Sequence, residues 1–146
     1  MLKKIIQSIL VCFLLAGCMS GNSLPQPGAK FSGTINISQQ KAKTGEILFN
    51  ISRDGTKISD ITLRFTDVQC EGVSTDTVNL NVIVDSPLDG TRFTVDSAYF
   101  GEISGKFQSS TTAGGDINVI LGKNFTKTHT SCNLGTYLWS ASAEPN

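Results

Sequence analysis

Twelve carboxylates, four cysteines and a single histidine are the side chains through which this 146-residue chain would do chemistry. His129 lacks the company that nucleophilic catalysis needs. A Ser-His-Asp triad requires an activated serine beside the imidazole, and no Gly-x-Ser-x-Gly elbow occurs. Lys123, Phe125, Lys127 and His129 alternate with threonines and an asparagine. That pattern predicts an exposed edge strand, where lysines oppose edge-to-edge pairing. The same three basic residues, Lys123, Lys127 and His129, form a candidate binding strip for an anionic partner. Glycoside cleavage needs two carboxyls converging in a groove, and the acids here are scattered along the chain. Asp85, Asp89 and Asp96 flank one turn region and carry oxygen ligands of the kind Ca²⁺ takes. They lack the one-three-five spacing of a dedicated loop, so they read as turn chemistry, with no metal and no other cofactor expected. Tyr99, Phe100, Tyr137 and Trp139 would make a sugar-stacking platform if exposed. Trp139, in the terminal alternating segment near Cys132, reads as core instead.

The amino terminus carries an address. Met1-Leu2-Lys3-Lys4 is a positively charged start, and an apolar run from Ile5 to Leu15 is broken only by Gln7 and Ser8. The run is shorter than the ~20 apolar residues that span a bilayer, and it has the length of a signal-peptide hydrophobic region. Leu15-Ala16-Gly17-Cys18 follows directly. Two small residues let a peptidase hold the chain extended, and the next residue offers a thiol for diacylglyceryl transfer. This stretch resembles the lipobox of bacterial lipoproteins. The resemblance implies cleavage before Cys18, acylation of its thiol and anchoring in a membrane, since two or three acyl chains give stable attachment where one does not. Met19, not aspartate, follows Cys18. In a cell with two membranes, that resemblance favours the outer one over retention in the inner.

The address also sorts the cysteines. Cys12 falls in the discarded leader and Cys18 takes the lipid, which leaves Cys70 and Cys132 in an oxidising compartment. A Cys70–Cys132 disulfide follows. Two cysteines and one histidine are too few for a metal site.

Residues 1–17 are thus expected as signal peptide, 18–29 as lipidated cysteine and flexible tether, 30–143 as one domain, and 144–146 as a tail. Pro25, Pro27 and Gly28 argue against regular structure in the tether. Losing Lys3 and Lys4 leaves ten lysines and arginines against twelve acids, a net charge of −2. No basic excess supports nucleic-acid binding.

The domain itself shows period-two alternation and no helical periodicity. Ile47, Phe49 and Ile51, the turn Arg53-Asp54-Gly55-Thr56, then Ile61, Leu63 and Phe65 predict a hairpin over 46–52 and 57–66. Val78 to Val84 alternates cleanly until Pro87 and Asp89-Gly90. Phe93 and Val95, then Ile103 and Phe107, then Ile117, Val119 and Leu121, then Tyr137 and Trp139 continue the series. About eight or nine short strands joined by glycine-containing turns mean an all-β fold. The expected form is an antiparallel β-sandwich or jelly roll, with a closed β-barrel as the alternative and one disulfide in either case.

The carboxy-terminal half also resembles a group of uncharacterised exported β-domains. The shared features are Asp89-Gly90-Thr91-Arg92-Phe93, Ile103-Ser104-Gly105-Lys106-Phe107, Thr111-Thr112-Ala113-Gly114-Gly115, Ser131-Cys132-Asn133-Leu134-Gly135-Thr136 and Trp139-Ser140-Ala141. The resemblance spans about residues 46–142 and implies the fold and the bridge, not an activity. Taken together, the sequence points to an extracytoplasmic lipoprotein of the cell membrane or outer membrane. Its β-domain would be a non-enzymatic binding or structural module for an envelope protein or glycan. The alternative is a small carboxylate-dependent glycan hydrolase.

Overall fold

The computed structural model describes residues 23–70, 73–75, 77–125 and 131–145. Ten strands form: β1 (Lys30–Ile35), β2 (Thr44–Ile51), β3 (Lys57–Thr66), β4 (Val68–Cys70), β5 (Val73–Thr75), β6 (Val78–Pro87), β7 (Arg92–Ser97), β8 (Gly101–Phe107), β9 (Thr112–Leu121) and β10 (Cys132–Ala143). The anticipated hairpin is β2–β3, in register from Thr44↔Thr66 to Ile51↔Ile58. Its turn is closed by side chains: the Ser52 hydroxyl accepts from the amide of Lys57 at 3.0 Å, and Asp54 accepts from the amide and hydroxyl of Thr56 at 3.1 and 2.8 Å.

Eight strands join one antiparallel sheet in the order β6-β3-β2-β1-β10-β9-β8-β7, and β4–β5 is a separate two-stranded ribbon. Apart from that ribbon, the order around the sheet is the order along the chain. The two ends of the sheet, β6 and β7, are joined by the turn at 88–91 and meet there through Asp89↔Arg92. The Ser86 hydroxyl then donates to the Thr94 carbonyl at 2.9 Å, bridging the seam. The all-β antiparallel fold and its single disulfide are as expected. Of the two closures anticipated, the strands take the barrel: one sheet curled until its edges almost meet. Alternation buries one face in a sandwich and in a barrel alike. The β1–β10 ladder, from Phe31↔Ala143 to Ile35↔Trp139, decides between them.

The inward residues fill the barrel. Phe31, Phe49, Phe93, Phe107 and Trp139 form an aromatic cluster with ring centroids 4.9 to 6.2 Å apart. Ile47, Leu63, Phe65, Ile103, Ile117, Val119 and Leu121 are fully buried beside it. The Trp139 indole N–H donates to the carbonyls of Ser104 at 3.1 Å and Asp116 at 3.2 Å. It reaches them because Gly105 and Gly115 put no side chain between the ring and strands β8 and β9. A Cβ on Gly115 would lie 2.0 Å from the Ser104 oxygen. Outward positions are mostly serine, threonine, asparagine and charged residues, with Leu48, Ile83, Ile120 and Leu138 exposed among them. An apolar interior under a polar wall is the reverse of a membrane-spanning barrel, whose lipid-facing band is apolar.

Strand directions give the barrel two distinct ends. The base holds the start of β1, the turns at 52–56, 88–91 and 108–111, and the end of β10. The top holds the β1–β2 loop, β4–β5, the end of β9 and the start of β10. There, the Gln69 amide donates to the Lys41 carbonyl at 2.8 Å, Val68 and Ala42 are fully buried, and Cys70 bonds to Cys132 with a Cα–Cα distance of 5.7 Å. The ribbon is thereby strapped across the rim from the β1–β2 loop to the first residue of β10.

The tether expectation needs a correction at its carboxy-terminal end. Pro25 is buried, and the Gly28 amide donates to the Ser52 carbonyl at 3.0 Å. The chain therefore joins the folded body at Pro25, five residues before β1 begins. Two prolines and a glycine preclude a helix or strand there, but not docking against the base. At the other terminus the Glu144 amide donates to the Lys30 carbonyl at 2.8 Å, so the order extends one residue into the expected tail.

Candidate functional site

Of the residues singled out for chemistry, Cys70 and Cys132 are covalently joined at the top of the barrel. Cys18, Lys127 and His129 lie outside the described residues. Lys123 is described and departs from expectation. It begins a short 3-10 turn, Lys123–Phe125, that follows β9 at the top, so this part of the basic strip is not a strand. Gly122 and Asn124 flank it, and both types are depleted in strands.

The aromatic platform does not assemble. Trp139 and Phe100 are buried at 3% and 0%, Tyr137 is half-buried, and only Tyr99 is largely exposed. Tyr137 donates to the Leu134 carbonyl, and burial pushes its phenol above the ordinary range. Asp85, Asp89 and Asp96 do not converge either. Asp85 is engaged by the Lys57 ammonium at 3.0 Å, which lifts the lysine above its usual value. Asp96 lies on the outer wall opposite Glu102. Among the described residues no group of three potential metal ligands comes together.

The remaining acids are mostly held in local roles. Glu46 lies 3.8 Å from Arg64, and Asp67 lies 3.8 Å from Lys43. Asp54 is lowered from 3.8 to about 2, chiefly by the Ser52 hydroxyl and then by the hydroxyl and amide of Thr56. This shift stabilises a turn and has no cleft around it. One shallow hollow of about 260 Å³ carries two acids, Asp60 and Glu144, together with Lys30, Asn50 and Thr62. Asn50 donates its amide to Asp60 at 3.1 Å.

Two further hollows share a feature that alternation alone did not reveal. Arg92 on β7 and Lys106 on β8 are direct ladder partners, both exposed on the outer wall near the base. They line a hollow of about 250 Å³ with Thr94, Ser104 and Asp116, and a second of about 450 Å³ with Leu24 and the 89–91 turn. Among the described residues no carboxylate lies within ion-pair distance of either cation. The signal was present in the hairpin count: each cation precedes a core phenylalanine, Phe93 or Phe107, on strands joined by a short turn. It becomes visible only once the register is known.

No known protein family, curated protein or solved structure matches the chain. Among the described residues no helix is long and apolar enough to cross a membrane.

Proposed function

We propose that this chain is a lipoprotein, exported, acylated at Cys18 and held at an extracytoplasmic membrane surface. Its capped barrel would serve as a non-enzymatic binding module. The observation that carries the reading is the Cys70–Cys132 disulfide, because bridges of this kind persist in oxidising compartments. The leader and the lipobox-like Leu15-Ala16-Gly17-Cys18 account for the other two cysteines. The barrel's polarity supports the same reading. The chain enters at the base, so an anchor at Cys18 leaves the strapped top facing away from the membrane. Lys123, exposed in the 3-10 turn that follows β9 at the top, is the described residue of the candidate basic strip, and the top is the end best placed to meet an envelope protein or glycan. Met19 after the cysteine favours the outer membrane where the cell has one.

Metabolic labelling with palmitate tests the anchor. Wild-type protein should take the label and stay with membranes through a high-salt wash, whereas Cys18→Ser should do neither. A labelled Cys18→Ser protein, or one that resists the wash, would overturn the assignment. A photo-crosslinker at position 123 tests the surface and should give a discrete adduct in cells that one at position 64, on the wall, does not. Equal adducts from both positions would count against a top-side partner. The two-acid hollow favours the hydrolase as a second reading. Glycan turnover by the purified barrel that disappears in both Asp60→Asn and Glu144→Gln would establish it in place of the binding module.

A further inference from the structure

Like charges placed directly opposite on a ladder destabilise the sheet, and Arg92 and Lys106 are both exposed, with Asp89 and Asp116 lining the neighbouring hollows but no carboxylate within ion-pair distance among the described residues. The hollow they share at the base, about 450 Å³, is also lined by Leu24, whose side chain is 58% exposed, and by Asp89 and Thr91. Two cations beside an exposed leucine combine electrostatic and apolar affinity, which is the composition of surfaces that rest in a bilayer interface.

Chain length gives this hollow its neighbour. Leu24 is six residues after Cys18. Six residues span at most roughly 20 Å when fully extended. A lipid on Cys18 would therefore hold the base within that distance of the headgroups. An anionic membrane surface attracts basic residues within about a Debye length, ~10 Å.

We propose that the base of the barrel docks on the membrane: Arg92 and Lys106 take the phosphate oxygens of anionic lipid headgroups, and Leu24 enters the interface beside them. This deepens the lipoprotein reading by fixing which end of the module meets the bilayer. The barrel is held upright, not swinging freely on its short tether.

The test uses the mature chain, residues 18–146, carrying Cys18→Ser so that no acyl chain contributes. It should cosediment with vesicles of phosphatidylglycerol and phosphatidylcholine, bind phosphatidylcholine alone much less, and release as salt rises. Arg92→Gln with Lys106→Gln should weaken partitioning about thirty-fold, at roughly fivefold per basic residue. Leu24→Ser should weaken it several-fold. Lys41→Gln with Lys43→Gln, at the top, should leave it unchanged. All these positions are exposed, and melting curves of the variants verify that the barrel persists. Equal binding to both vesicle types, or binding indifferent to Arg92 and Lys106, would overturn the proposal. So would inorganic phosphate shifting the NMR signals of these residues while vesicles do not bind, which would make the site one for a free anion. Because no lipid is attached, failure here leaves the palmitate result standing, and failure of labelling leaves this one standing.

Discussion

Replacing Gly105 with alanine tests the packing of the barrel at its tightest point. A Cβ built there lies 2.5 Å from Cζ of Phe93 and 2.5 Å from Cζ2 of Trp139. Ordinary carbon contacts fall at about 3.5–4.0 Å, so each ring must retreat by roughly 1 Å. Neither has room. Phe93 is 4% exposed and touches Phe49, Phe107 and Trp139, while Trp139 is tied to two strand carbonyls. Overpacking of this kind costs about 1–3 kcal/mol, and stretching the indole hydrogen bonds adds about 1 kcal/mol. The sum, about 2–4 kcal/mol, corresponds to a fall in Tm of roughly 8–16 °C for a domain of this size. Urea and thermal melts of the oxidised protein measure it, with the fluorescence of Trp139, the sole tryptophan, reporting on the ring's surroundings. Gly90→Ala provides the contrast. Its φ is +60° but nothing lies within 4 Å of the added carbon, so the backbone term of about 1 kcal/mol stands alone. A melting point for Gly105→Ala within about 2 °C of wild type would refute the reasoning, since it would mean that the aromatic cluster yields freely.

Three further outcomes are expected. Cys70→Ser with Cys132→Ser opens a 62-residue separation and should cost up to about 4 kcal/mol, with the Gln69 and Lys43 amides losing hydrogen-exchange protection before those of β9. Asp54 ionises near pH 2 in the folded chain against 3.8 ordinarily, so its contribution to stability is complete above about pH 4 and fades as pH falls through 2. NMR titration of its carboxyl should show that Ser52→Ala moves it back toward the ordinary value. Glu102→Lys turns the like-charged Asp96↔Glu102 ladder pair into an opposite one and should stabilise the barrel by about 0.5 kcal/mol in denaturation curves, less at high salt.

Local features of the fold were legible in the residues. Alternation at Ile47, Phe49 and Ile51 and at Ile61, Leu63 and Phe65 identified both strands of the first hairpin and their buried faces. The turn residues between them were read correctly because the contacts of Asp54 and the positive φ of Gly55 lie within the short stretch from Ser52 to Lys57. Trp139 was assigned to the core from its place in an alternating segment. Long-range features were not legible. Whether the sheet closes depends on Phe31 meeting Ala143 across nearly the whole domain, and no local pattern carries that pairing. The docking of residues 25–29 depends on Ser52 waiting at the base. The Arg92–Lys106 pair depends on a register counted through β7 and β8, and a slip of one residue in either strand would have turned its cation inward. The hollow holding Asp60 and Glu144 likewise needs β3, β2 and β1 laid in order, with the carboxy terminus against β1.

The ladder between β1 and β10 also has a consequence in time. A chain emerging amino terminus first presents β1 long before β10 has appeared, yet Phe31 pairs on one side with Phe49 and on the other with Ala143. The hairpins β1–β2–β3 and β7–β8–β9 can zip as they arrive, since their partners are near in sequence. Ring closure has to wait for the final strand, and loop-closure entropy makes such distant pairings the slow ones. Until then one edge of β1 stands open. For a protein proposed to be tethered by its amino terminus as it leaves the translocation machinery, the last strand would both complete the wall and shield the first.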